Sequence, residues 1–325
     1  MADPELFAEL IGQSLAVRLL GAALQHGRLA PAYLFAGPEG VGRRLATQRF
    51  LEGVLTGGTS HPALRRRLAQ GNIADLLWLE PTYLHQGQAV PVSKAEDLGV
   101  SRRTPAQIRL EQVREVSRFL SRCPIESARP LVVIENAEAM AEPAANALLK
   151  TLEEPGDGLL ILISAAPERL LGTIRSRCQW IPFHPLPPTL VAEVLARVTS
   201  ATGEGTAPGL DPPELVAMAA GSPGALLAHR RLWQLLPEGL AERLQELPTN
   251  PLAGLELARE ISEGLDGEQQ LWLINWWQIA LWQRHRDPRQ VERLEMLRRH
   301  LLSHVQPRLA WEVTLLELTH LPPLG

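Results

Sequence analysis

The sequence predicts an α/β fold: a parallel-sheet domain built around a phosphate-loop-type turn, followed by helical segments to the end of the chain. Three observations carry this. Short all-apolar runs, "AYLFA", "LVVI" and "LLILIS", alternate with helix-patterned stretches in the first half, and such runs suit strands of a parallel sheet buried on both faces. The first run leads into "GPEGVGRR", Gly37 to Arg44, a glycine-rich turn between a strand and a helix. Beyond "PFHPLPP" the apolar spacing is helical throughout.

Taken in order, Glu5 to Leu51 reads as helix, strand (Tyr33 to Ala36) and a second helix beginning near Gly42. "DLLWLEP", Asp75 to Pro81, is the next strand. Thr82 to Pro105 is polar and contains glycine, proline and serine, so a long mobile surface loop is expected there. From Ala106 to Arg122, Ile108, Val113, Val116 and Leu120 fall near helical spacing. "LVVI" is a strand ending at Glu135, and "EPAANALLKTLEEP" a helix with Pro143 in its first turn and Pro155 past its end. "GLLILISA" gives another strand and "PERLLGTIRSRC" a short helix. The prolines around Leu186 mark a domain boundary, and a small helical unit from Thr189 to about Leu227 ends in "AAGSPGALL". In the last third, "LWLINWWQIALWQ" is apolar almost all round, with Trp272, Trp276 and Ile279 expected on one core-facing side.

Composition narrows the function. With 325 residues, 45% hydrophobic and 21% charged, the chain can bury ordinary cores and is not disordered. A net charge of −4 argues against a module that binds DNA alone through a basic surface. Two cysteines, Cys123 and Cys178, cannot make a four-thiolate zinc site and are read as reduced thiols of a cytoplasmic protein. The N-terminal "MADPELFAELIGQ" lacks a signal pattern, and the longest apolar run is about half the ~20 residues a membrane span needs.

The chemistry is conspicuous for what stands in its place. A working phosphate loop reads G-x-x-x-x-G-K-[ST], with Lys on the phosphates and a hydroxyl on Mg²⁺. Here Gly37, Gly40 and Gly42 keep the turn, but Arg43 replaces the Lys and Arg44 the hydroxyl. Arginine is a planar fork and no conservative substitute for a compact ammonium. At the end of "LVVIENAE", Glu135 can mimic a metal-binding carboxylate, but Asn136 follows it, and an amide is no general base. The strand "GLLILIS" runs into Ala165 and Ala166, leaving Ser164, expected to bond backbone groups locally. "GSPGALL" has no arginine at the start of its helix. "TIRSRC", by contrast, places Arg175 and Arg177 at the end of a helix, facing away from the chain's own loop in the expected topology.

"AYLFAGPEGVGRR", "ENAEAMAEPAANALLKTLEEP" and "APERLLGTIRSRCQWIPF" together resemble the delta-prime family of bacterial DNA polymerase III clamp loaders, within the AAA+ group. The resemblance covers Phe7 to Phe183 well and continues to "LAHR"; the last third is similar only in length and helical character. It implies an AAA+ core over 1–185 with a degenerate phosphate loop, a small helical lid over 186–228 and an oligomerising helical collar over 229–325. It also implies a stator that does not hydrolyse ATP, within a nucleotidyltransferase holoenzyme. Arg177, flanked by Ser176 and Cys178, would then be an arginine finger acting in trans. The implied partners are gamma/tau ATPase subunits and delta in a five-subunit ring, with the sliding clamp and primed DNA met through the assembly. No cofactor is expected on this chain, since ATP would sit on neighbouring subunits. Many relatives carry a four-cysteine zinc module after the phosphate loop; only Cys123 lies in that region, so no zinc is expected. The rival expectation is an AAA+ ATPase active in its own right through Arg43 and Glu135.

Overall fold

The computed structural model describes residues 4–95, 97–100, 105–202, 211–246, 250–303 and 305–319. The chain divides into two compact units, Met1–Val194 and Leu195–Gly325.

The first unit runs α1 (Ser14–Gln25), β1 (Ala32–Ala36), α2 (Arg43–Thr56), α3 (Pro62–Ala69), β2 (Leu76–Leu79), β3 (Thr82–His85), β4 (Gln88–Pro91), α4 (Leu110–Leu120), β5 (Leu131–Ile134), α5 (Glu142–Glu153), β6 (Leu159–Ser164), α6 (Gly172–Arg175) and β7 (Gln179–Pro182). Five of the strands form a parallel sheet in the order β2-β5-β6-β1-β7. Strand side chains alternate between faces. Tyr33, Phe35, Val133 and Ile161 pack with Leu20 of α1, Phe50 of α2 and Leu68 of α3. Leu34, Val132, Ile134 and Leu162 meet Val113 and Val116 of α4, Leu148 of α5 and Ile174 of α6. Both faces are covered, which is why these strands read as unbroken apolar runs. Each fully buried aliphatic or aromatic side chain contributes about 1.5–3 kcal/mol of transfer free energy.

Thr82 to Pro105, expected to be a mobile loop, is ordered into a hairpin over Thr82 to Pro91, while residues 96 and 101–104 lie outside the described residues. β3 and β4 make an antiparallel hairpin there, with Tyr83 opposite Val90. Gln86 and Gly87, at φ +50° and +80°, form its two-residue turn, the positive-φ pair that suits strand twist. Tyr83, Val90, Ala95 and Val100 gather into a small apolar cluster beneath it, too sparse to register as a strand pattern. Two elements were also not anticipated: α3, and the edge strand β7, whose Gln179 and Trp180 are exposed. Between α2 and α3 the chain is tied by the fully buried Glu52, which accepts from the His61 amide and, through both oxygens, from Arg65 Nε at 2.9 and 2.8 Å.

α7 (Pro188–Thr202) runs across the division between the units. The second unit contains α8 (Pro213–Ala219), α9 (Pro223–Gln234), α10 (Leu240–Glu246), α11 (Pro251–Gly264), α12 (Gly267–His285), α13 (Pro288–Leu302) and α14 (Pro307–Thr319). α12 opens on a capping box in which Asp266 and Gln269 satisfy each other's amides, and it packs against α8, α10 and α13. Trp272 and Trp276 are buried, as expected, together with Leu273, Ile274 and Trp277. Trp277 stacks on Trp311 at 6.1 Å between centroids and donates Nε1–H to the Leu244 carbonyl. Ile279 departs from the expectation. It is only half-buried and lines a surface recess with Gln278, Trp282, Pro288 and Val291. On a helix apolar all round, spacing does not distinguish the core side from the rest.

Candidate functional site

The glycine loop follows β1 and enters α2, as the sequence suggested. Gly37 has φ +153°, and a Cβ there would lie 2.2 Å from the Phe183 carbonyl oxygen. Gly40 has φ +75°. Gly42 is the N-cap of α2 in the left-handed region at φ +103°, and its missing Cβ leaves room for Leu10. Two of the three glycines are therefore required by backbone approach and packing, irrespective of any phosphate. The loop is pinned by a residue the sequence reading passed over: Gln13, which donates Nε2–H to the carbonyls of Val41 (3.2 Å) and His184 (2.7 Å).

Arg44 turns to the acidic end of β5. Its Nη1 lies 3.4 Å from Glu135 Oε2, and its guanidinium sits 5.1 Å from the centre of the Trp78 ring. Trp78 Nε1–H donates to the same Glu135 oxygen at 2.9 Å. The two positions that would both face a metal ion are thus joined to each other. With the Arg44 side chain 60% exposed, the pair is worth little as stability; what counts is the ground it occupies. Trp78 was missed because a half-buried aromatic in a strand normally signals only packing. Asn136 follows in the left-handed conformation, φ +49°, which asparagine tolerates.

Arg43 goes inward. It is 5% exposed, and its Nη1 has no hydrogen-bond partner among the described residues. Burial pulls its pKa below the ordinary arginine value, against the fields of Glu138, Glu39 and Glu135. Ser164 corrects the expectation of local backbone bonding: it is fully buried and its hydroxyl has no partner among the described residues. The polar role beside Ala165 falls instead to Glu138, whose Oε1 accepts from the Ala165 amide at 3.0 Å. No group of three or more His, Cys, Asp or Glu side chains among the described residues is arranged to hold a metal ion.

Ser176, Arg177 and Cys178 form the link between α6 and β7. β7 pairs with β1 in parallel, Gln179 opposite Tyr33 and Pro182 opposite Ala36. The link therefore lies at the N-terminal end of the sheet and the glycine loop at its C-terminal end. Five residues of strand, about 16 Å at ~3.3 Å each, separate the level of Cys178 from Gly37. Arg177 is exposed; Nη2 donates to Glu153 Oε1 at 2.8 Å and Nη1 to the Thr173 carbonyl at 3.1 Å. Arg175 is exposed beside it. Ser176 Oγ also caps backward, to the Thr173 carbonyl. Cys178 packs against the α4–α5–α6 face of the sheet, and burial pushes its thiol pKa up to about 12.

A family model described as DNA polymerase III, delta subunit, matches residues 12–187, and one described as cyanobacterial DNA polymerase III delta prime, C-terminal domain, matches residues 189–318. The chain belongs to the DNA polymerase III delta-prime family. It is similar to the DNA polymerase III subunit delta' of Pseudomonas aeruginosa, with 36% identity over 250 residues, 72% of this chain and 67% of that protein. It is also similar to subunit delta' of Bacillus subtilis, with 33% identity over 189 residues, 56% of this chain and 51% of that one, so the match spans about half the length of the Bacillus protein. A gamma/tau subunit of Mycobacterium tuberculosis is 31% identical over 204 residues, 62% of this chain and 32% of that protein. Among solved structures, a gamma-subunit-related protein of Thermotoga maritima superposes with a TM-score of 0.54 at 19% identity, covering 93% of this chain and 98% of that one. That likeness supports the overall fold, a parallel sheet with helices followed by a helical C-terminal region. In this delta-prime family member, the helix following "GS" is α9, capped by the Ser222 hydroxyl on the Ala225 amide. Its buried arginine, Arg230, sits in the second half of the helix in a bidentate pair with Asp211 (2.6 Å twice).

Proposed function

We propose that this chain is a non-hydrolysing stator subunit of the DNA polymerase III clamp loader. It supports ATP-driven loading of the sliding clamp onto primed DNA and lends Arg177 to the ATP site of a neighbouring subunit. The carrying observation is the Arg44–Glu135 contact: the chain's own guanidinium stands beside the carboxylate that a Mg²⁺ ion would need. These residues do not fit Mg²⁺-ATP. Glu135 is engaged by Arg44 and Trp78, no hydroxyl stands at position 44, and Asn136 offers no base. The loop of this subunit therefore works without nucleotide, and ATP belongs to its neighbours.

Support for the finger comes from the sheet register. Arg177 lies at the opposite end of the strands from Gly37, too far to serve its own loop, and it is exposed where a second subunit can approach. An arginine presented to transferring phosphate stabilises transition-state charge and is worth on the order of 10³–10⁵ in rate. The partners of this reading are gamma/tau ATPase subunits and delta in a five-membered ring. The core, lid and collar divide at 185 and 228, and clamp and DNA contacts are made by the assembly in the cytoplasm. No helix among the described residues is long and apolar enough to cross a membrane.

The test pairs two measurements. The isolated chain should show no ATP turnover, and a loader reconstituted with Arg177→Ala should assemble yet lose most of its clamp- and DNA-stimulated ATPase. ATP hydrolysis by the isolated chain that Arg43→Ala abolishes would refute the stator reading; unchanged turnover with Arg177→Ala would refute the finger.

A further inference from the structure

Arg177 is not a loose side chain waiting for a phosphate. Nη2 is held by Glu153 Oε1 at 2.8 Å and Nη1 by the Thr173 carbonyl at 3.1 Å. These anchors come from different elements: Glu153 is the last residue of α5, and Thr173 lies in the single turn of α6. The helix does not by itself favour Glu153 where it stands. A carboxylate at a helix C-terminus faces the negative end of the macrodipole, and the guanidinium opposite supplies the compensating charge. The pair also fixes a plane. Arginine has five N–H donors in a rigid fork; the two contacts use two of them and leave three, on a side chain 36% exposed.

We propose that Glu153 is a positioning residue for Arg177: with the Thr173 carbonyl it pre-sets the guanidinium so that its remaining donors meet the phosphate oxygens of a nucleotide on an adjoining subunit. The inference rests on the reading of Arg177 as a finger in trans. Pre-setting the fork removes rotamer freedom before the encounter, so less is lost when the phosphate contact forms. Among the described residues the Glu153 carboxylate bonds Arg177, so its effect is expected to pass through that arginine. A partly exposed charge-assisted pair has limited strength, so the effect is several-fold, well short of the loss of the finger itself.

The experiment uses the reconstituted loader with its cognate subunits, ATP, clamp and primed DNA, carrying Glu153→Ala, Glu153→Asp, Arg177→Ala and the double variant Glu153→Ala/Arg177→Ala. Size-exclusion chromatography checks that each assembles. Glu153→Ala should lower the stimulated kcat two- to five-fold with KM for ATP unchanged, five-fold being about 1 kcal/mol. Glu153→Asp should recover part of the loss, and Glu153→Ala should add nothing in the Arg177→Ala background. Wild-type turnover with Glu153→Ala, when Arg177→Ala is impaired, overturns the positioning role. So does a Glu153→Ala loss that persists in the Arg177→Ala background. Unchanged turnover with Arg177→Ala strikes the finger itself, and the positioning role with it.

Discussion

Replacing Gly37 by alanine separates a glycine kept for the fold from one kept for a phosphate. The added Cβ would lie 2.2 Å from the Phe183 oxygen and 2.9 Å from its carbonyl carbon and Cβ. Most of these are backbone atoms, so no rotamer change relieves the contact. The chains must separate by close to 1 Å, which breaks the 2.7 Å bond from the Phe183 amide to the Ala36 carbonyl, about 1 kcal/mol. The same shift loosens the Phe183 ring, 2% exposed and 5.5 Å from that of Phe35. Adding about 1–3 kcal/mol for strain at positive φ, the expected cost is about 2–4 kcal/mol. Gly40→Ala is the control, since φ +75° costs an alanine only about 1–2 kcal/mol. Six of the eight tryptophans lie beyond residue 194, so fluorescence reports the second unit. Amide hydrogen exchange of β1 and β7 is the better assay for the first. Protection in those strands no lower for Gly37→Ala than for Gly40→Ala would refute the steric account.

Two other expectations follow from titrating groups. Burial pushes the Asp75 carboxyl upward, but the amides of Ile125, Glu126 and Ser127 outweigh it and hold the pKa below the usual value. A folded pKa below the unfolded one gives stability that is complete above about pH 4 and lost as pH falls through the folded value. Asp75→Asn should therefore cost about 1–3 kcal/mol at neutral pH and flatten the acid limb of stability in β2 and β5; parallel acid limbs would refute this. Cys123 is exposed, whereas the Cys178 thiol is raised to about 12 by burial. At pH 8 only on the order of 10⁻⁴ of it is thiolate, so iodoacetamide should label native protein at Cys123 alone and both cysteines after denaturation. Equal native labelling would show Cys178 to be accessible.

The sheet was legible because its strands are buried on both faces, so "LVVI" and "LLILIS" carry their placement in composition alone. β7 was not, because an edge strand needs only Ile181 inside while Gln179 and Trp180 face out. The β3–β4 hairpin escaped for the same reason: one small cluster under Tyr83 and Val90 does not make a pattern. At the site, sequence gave residue types but not engagements. Arg44 opposite Glu135 lies 91 positions away and is brought there by β1 and β5 flanking β6. Trp78 reaches the same carboxylate because β2 pairs with β5, Leu79 beside Ile134. Glu153 and Arg177 meet because α5 packs against α6, and Arg177 follows the end of α6.

The Arg44–Glu135 contact decides what a nucleotide would need at this loop. A site weakened only by omission would regain its ligand when the missing groups were restored one at a time. Here Arg44 fills the position of the hydroxyl and also ties up the carboxylate, so a hydroxyl at 44 must displace a contact as well as add one. Asn136 would still lack a proton acceptor and Ala165 a polar side chain, and the buried Arg43 still carries a fork where a compact ammonium belongs. The Arg177 end of the sheet shows the opposite condition, with two of the arginine's five donors held by Glu153 and Thr173. Gain of nucleotide chemistry at the loop would thus require several simultaneous changes, whereas on the proposed finger reading a single change at Arg177 would remove its contribution.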